Sequence, residues 1–270
     1  MALASTGPGG APCDREWGQM TTSEQNFGRL RLYNLVMAAL HAAQGAAVLA
    51  LSNDFSLPVT AAFMKGPPGS PAMTERLFIV PLGPAVAAFL FMSAAAHLII
   101  SGPAWTWYRA NLAKSRSYAR WIEYSISSSL MIVLIAMITG IADVAALVAI
   151  GGVNASMILF GLLQEHYEQP GRPGWLPFLF GCVAGATPWI GVGIYLWSPG
   201  SAAEPPAFVY AIFVSLFVFF NSFALNMVLQ YRQVGPWRSY LFGEYVYVLL
   251  SLVAKSALAW QVFANTLVPS

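Results

Sequence analysis

Seven stretches of the 270-residue chain are apolar over at least about 20 residues, and the polar positions gather between them. A helix rises about 1.5 Å per residue, so about 20 mostly apolar residues cover a hydrocarbon core about 30 Å thick. The runs cover 32–51, 78–100, 119–141, 144–163, 176–197, 207–230 and 243–267. Pro and Gly clusters between them, KGPPGSP at 65–71, QPGRPG at 169–174 and SPGSAAEPP at 198–206, read as loops. The pattern predicts an all-α membrane protein, one seven-helix bundle over 29–268 behind a polar tail over 1–28, with no space between spans for an added catalytic domain. The tail lacks the basic start and apolar core of a cleaved signal peptide and is expected to be disordered.

Composition agrees with lipid as the solvent. Hydrophobic residues make up 57% of the chain and charged ones 9%, against about 25% charged in soluble domains. A net charge of +2 offers nothing to nucleic acid. Cys13 lies in the polar tail and Cys182 in an apolar run, so both are read as inert rather than as a disulfide framework.

Basic residues set the expected orientation, because Lys and Arg concentrate in cytoplasmic loops. Arg15, Arg29 and Arg31 of the tail, Arg109, Lys114, Arg116 and Arg120 of the second loop, Arg172 of the fourth, and Arg232 and Arg238 of the sixth share one side. Lys65 and Arg76 stand alone on the other. The N-terminus is therefore expected in the cytoplasm of a multi-pass cell-membrane protein, with the C-terminus and the first loop (about 52–77) outside.

Ionisable groups within the spans are few. Lys255 lies midway along the seventh run and Glu123 just inside the third, while Asp143 and Glu244 fall at span ends, where interfacial water is expected to solvate them. A charge deep in the bilayer costs at least about 2.5 kcal/mol and usually faces the bundle interior with a partner. Snorkelling would oblige Lys255 to climb about two turns. A buried lysine beside a carboxylate is open to three readings: a structural ion pair, a transport site, or an amine that condenses with an aldehyde to an imine kept protonated by the carboxylate. Ser251, one turn before Lys255, and Ser127, one turn after Glu123, extend polar character along the same helix faces. His166 beside Glu165 and Glu168 reads as a solvated loop residue. The chain shows no metal-ligand spacing, phosphate loop or Ser-His-Asp set, so nothing points to an enzyme.

The detailed strings resemble the heliorhodopsins, a branch of the microbial rhodopsins. They are SNDFSLP and GPPG in the first loop, RWIEYSISSSLMIVLIA in the third run, GIADVAALVAIGGVNASMILFG in the fourth, FFNSFAL in the sixth and SLVAKSALAWQ in the seventh. The resemblance implies the inverted orientation that the charge bias also gives. It implies all-trans-retinal bound to Lys255 through a protonated Schiff base, with Glu123 as counterion. Ser251 stands where pumping rhodopsins usually carry a second aspartate, leaving Glu123 as sole carboxylate counterion. The resemblance places Tyr124, Phe220, Met157 and Ile158 along the polyene, with Trp189 and Trp260 as weaker candidates. His41 and His97 match a hydrated cavity that receives the released proton, and Gln44, Asn154, Ser127 and Ser251 are candidates to complete that network. The first loop is expected to form a two-stranded element that covers the outer face and supports a homodimer.

Outward proton pumps of the superfamily typically carry a carboxylate acceptor, a hydroxyl four residues on and a carboxylate donor eleven residues on. Here those places hold Glu123, Ser127 and Leu134. The expected function is a retinal-binding light receptor with a slow photocycle that signals to an unidentified cytoplasmic partner without active pumping. The alternatives are a light-gated passive proton transporter and a colourless scaffold whose Lys255 and Glu123 form only an ion pair.

Overall fold

Each of the seven apolar runs is a helix, long and apolar enough to cross a membrane. The computed structural model describes residues 12–197 and 204–268, the side chains from Asn26 onward. In chain order the elements are α1 (Pro12–Leu51), β1 (Ser56–Met64), β2 (Ala72–Pro81), α2 (Leu82–Ser101), α3 (Trp105–Leu112), α4 (Tyr118–Ile138), α5 (Val144–Tyr167), α6 (Leu176–Leu196), α7 (Ala207–Tyr231) and α8 (Tyr240–Val262). A π turn over Phe263–Leu267 continues α8. Helix α1 corrects the disordered-tail expectation from Pro12 onward, since a proline fits a first helical position, where its missing N–H costs nothing. Residues 1–11, the side chains of Cys13 and Arg15, and most of the 198–206 loop lie outside the described residues.

The first loop is an antiparallel hairpin, as the resemblance implied. Its register runs from Ser56 opposite Pro81 to Met64 opposite Ala72, with a shift between Val59 and Thr60 where β2 carries an extra residue. Thr60 N there donates to Ala142 O at 2.8 Å, tying the hairpin to the turn before α5. That turn reverses through Gly140 at φ 99°, a left-handed conformation that favours glycine. Asp143 then caps α5, its Oδ1 accepting from Ala145 N and Ala146 N, which fits its expected place at a solvated span end. Asn53 binds the other end of the hairpin to α8: its N donates to Leu267 O, and its Nδ2 to Thr266 O and Val268 O. These carbonyls close a helix end that has no further turn to accept from. Asn53→Ala is expected to remove these two bonds and the one that Oδ1 accepts from Phe55 N, and to lower thermal stability by about 1 kcal/mol, readable as a shift in the unfolding midpoint in detergent.

The opposite end of the bundle departs from the sequence expectations. The second loop contains α3, which lays Tyr108 and Leu112 into the bundle. Beneath it Glu244 is 1% exposed, Glu165 6% and Arg120 6%, so neither the solvated span-end reading of Glu244 nor the loop placement of Arg120 holds. Arg120 pairs with both carboxylates, through Nη2 to Glu165 Oε1 at 2.6 Å and through Nη1 to Glu244. Glu244 Oε1 also accepts from Tyr108 Oη at 2.8 Å and Ser117 Oγ at 2.7 Å. Glu165 accepts from Ser117 N, Tyr240 Oη and the Trp121 indole. Burial, with the Glu244 carboxylate adding to it, pushes the Tyr108 phenol well above its ordinary range, so it stays a donor. His166 lies in the last turn of α5 rather than in a loop, with Nδ1 2.8 Å from Tyr118 Oη. Removing Arg120 from the loop charges leaves the direction of the basic bias unchanged.

Candidate functional site

The phases of α4 and α8 aim Glu123 and Lys255 at each other. Lys255 Nζ donates to Glu123 Oε1 at 3.0 Å and to Ser251 Oγ at 2.9 Å. Their side chains are 4% and 11% exposed, a setting in which removing either charge leaves the other buried and costs about 3–5 kcal/mol. Ser93 of α2 donates to the same Glu123 oxygen at 2.6 Å. The pair is thus held from both sides, by Ser251 at the amine and Ser93 at the carboxylate. Lys255 Nζ also lies 5.3 Å from the centre of the Tyr124 ring. Ser93 escaped the sequence reading. Its signal is the one-turn spacing to His97 on α2, but nothing in the spacing says that α4 lies opposite.

One turn beyond Ser93, His97 Nδ1 lies 2.7 Å from Asn34 Oδ1. Asn34 Nδ2 donates to Leu30 O at 2.9 Å, which fixes the amide and makes its oxygen the acceptor. His97 therefore carries a proton on Nδ1, leaving Nε2 as an acceptor in the neutral ring. His41 stacks on His97, with ring centroids 5.6 Å apart and planes 14° from parallel. Among the described residues its two buried nitrogens have no hydrogen-bond partner, a demand that internal water satisfies in buried polar sites. The predicted histidine pair is brought together, with Asn34 as an unpredicted third member. Gln44 is turned away: its Nε2 donates to Leu40 O and its Oε1 accepts from Trp260 Nε1 at 3.0 Å.

On the other side of Lys255 opens a cavity of about 260 Å³ among α4, α5, α6, α7 and α8, near the roughly 300 Å³ at which small-molecule sites begin. Tyr124, Ser127, Met157, Ile158, Phe220 and Ser251 all line it, as does Trp189. Trp260 does not, and Asn154 sits behind the wall, where its Nδ2 reaches Ser128 Oγ at 2.9 Å and Ser129 Oγ at 3.1 Å. Trp121 and Tyr247 form wall that the sequence reading did not assign. Glycines shape the slot: a Cβ on Gly185 would meet Met157 Sδ at 2.5 Å, and one on Gly161 would meet the Trp121 ring at 2.5 Å.

An amine bordering a cavity lined by aromatic, aliphatic and sulfur side chains can condense with an apolar aldehyde, with loss of water. A proton kept on the imine at Nζ would place its charge where Glu123 and Ser251 already stand. Among the described residues no group of three His, Cys, Asp or Glu side chains is arranged to hold a metal. The family model described as Heliorhodopsin matches residues 30–267. No curated protein matches the chain.

Proposed function

The chain belongs to the heliorhodopsins, retinal-binding and light-responsive membrane rhodopsins, and from that premise we propose that it is a light receptor with a slow photocycle that signals without active ion pumping. The observation that carries the reading is the buried Lys255–Glu123 pair, backed by Ser251 and facing an apolar slot. Retinal, held as the all-trans isomer, supplies the light-absorbing polyene and a bond that isomerises. Lys255 Nζ holds the link, Glu123 balances its charge, and Ser251 offers a neutral acceptor where a second carboxylate would favour pumping. Tyr124, Ser127, Met157, Ile158 and Phe220 orient the polyene. Asn154 supports that wall through Ser128, which also lines the slot.

His41 and His97 receive the proton released from Lys255 in the light. Ser93 bridges from Glu123 toward them along α2. Against reloading through α4 stands Leu134, 1% exposed in the apolar core at the donor place. The end bearing α3 faces the cytoplasm with both its basic loops and an unidentified signalling partner, and the hairpin end faces outward. Two copies associate through the hairpin, whose β2 exposes Leu77, Phe78 and Ile79, a row of apolar surface that water alone serves poorly.

Retinal-loaded membranes test this reading when flash-induced absorption and bulk pH are followed together. The expected result is a visible band, a slow recovery and no sustained pH change that a protonophore alters. Fast recovery with sustained acidification would overturn it in favour of pumping, and photocurrents that reverse with voltage would move it to passive conduction. Ser93→Ala is expected to shift the band to shorter wavelength. Losing the 2.6 Å donor concentrates negative charge on the Glu123 oxygen nearest Lys255, which favours the ground-state cation.

A further inference from the structure

The wall of the slot farthest along α4 and α8 from Lys255 has a second face. Trp121 and Tyr247 line the cavity, yet the Arg120 guanidinium stacks on both, 3.9 Å from the Tyr247 ring centre and 4.7 Å from that of Trp121. The two rings pack edge to face at 6.2 Å, and Tyr124 Oη donates to Tyr247 O at 2.8 Å. Behind them, one guanidinium and two carboxylates join α3, α4, α5 and α8, with Tyr108 as the member that α3 contributes. Two anions against one cation form a balance that depends on each O–H donor. Among the described residues Arg120 Nε has no hydrogen-bond partner.

Resting on the light-receptor reading, we infer that the Arg120–Glu165–Glu244 cluster is a latch that transmits movement of the Trp121–Tyr247 wall to α3. Displacement of the wall shifts the stacked guanidinium, Glu244 follows it, and Tyr108 loses its acceptor. Helix α3 buries Tyr108 and Leu112 in one apolar cluster with Leu30 and Ile100, and the Tyr108 hydroxyl is its tie to the charged cluster, so loss of that bond loosens α3 while the apolar contacts remain.

Hydrogen–deuterium exchange of the full chain in lipid nanodiscs, read over 102–117, separates the latch from the receptor reading. In the dark and without retinal, Tyr108→Phe is expected to speed exchange there about tenfold, the loss expected for one bond to a charged group. Unchanged exchange would overturn the latch. In retinal-loaded protein, illumination is expected to speed the same segment in the wild type and to add nothing in Tyr108→Phe. A wild type with an intact visible band but no light-dependent exchange would overturn the latch and leave the receptor standing. Absence of any visible band would overturn the receptor reading and the light control that rests on it, while the dark comparison still decides whether Tyr108 holds α3. Arg120→Lys keeps the charge but loses the flat guanidinium that stacks on both rings. It is expected to retain the band and lose at least half of the light-induced exchange, and a full response would overturn the role of the stacked guanidinium.

Discussion

Lys255→Ala membranes incubated with all-trans-retinal are expected to develop no visible band, whereas the wild type is expected to develop one that hydroxylamine bleaches in the light. The amine is the nucleophile that the slot presents, and no other lysine lies within a span. The substitution also strands Glu123, buried among α2, α4 and α8 without its cation. A stability loss of about 3–5 kcal/mol is therefore expected in the colourless protein. Lys255→Ala combined with Glu123→Gln is expected to recover most of that loss and to stay colourless. Recovery without colour separates the chemistry of the amine from its structural cost. A visible band in either variant would refute the assignment of Lys255.

The second large effect belongs to Glu123→Gln. An opposite charge at about 4 Å contributes about 4 kcal/mol at an effective dielectric constant near 20, and the pair here is closer still, at 3.0 Å. Without the carboxylate, a cation on Nζ is left with the Ser251 hydroxyl and the face of Tyr124. The visible maximum is expected to move to longer wavelength, because the ground state has lost the charge that held its own in place, or the visible form to give way at neutral pH to a near-ultraviolet one. Absorption spectra of purified protein at neutral pH decide the matter, and an unshifted visible maximum removes Glu123 as counterion. The opposite shift expected for Ser93→Ala provides an internal control on the sign.

What could be read in advance was whatever the membrane makes costly. A lysine inside SLVAKSALAWQVF and a glutamate inside RWIEYSISSS are exceptions to an apolar rule, and the structure pairs them. Ser251 was legible through its one-turn spacing on the same helix. Ser93 and Asn34 were not, because a small polar side chain in an apolar helix is common and gains meaning only from the helix packed opposite. The cluster around Arg120 was misread for another reason. Arg120, Glu165 and Glu244 sit near span ends, where solvation is the ordinary expectation, and it is α3, eight residues too few and too polar to read as a span, that closes over them. Gln44 shows the converse: it was a candidate for the network around His41, but the side chain turns to Trp260.

The two fastenings of α8 are unequal, and the difference has a mechanical meaning. At the hairpin end Asn53 grips three successive carbonyls of the main chain, Thr266, Leu267 and Val268. At the far end the carbonyls of Tyr240, Gly243 and Tyr247 are held by three side chains of α4 and α7, Gln230, Asn226 and Tyr124, and Glu244 ties the helix to Arg120. With about 1.5 Å of rise per residue, Lys255 lies about 18 Å from the Asn53 grip and Glu244 about 35 Å. Were α8 to tilt about Asn53 as a stiff rod, half an ångström or so of sideways movement at the lysine would become about twice that at the carboxylate, near the scale that separates a formed hydrogen bond from a broken one.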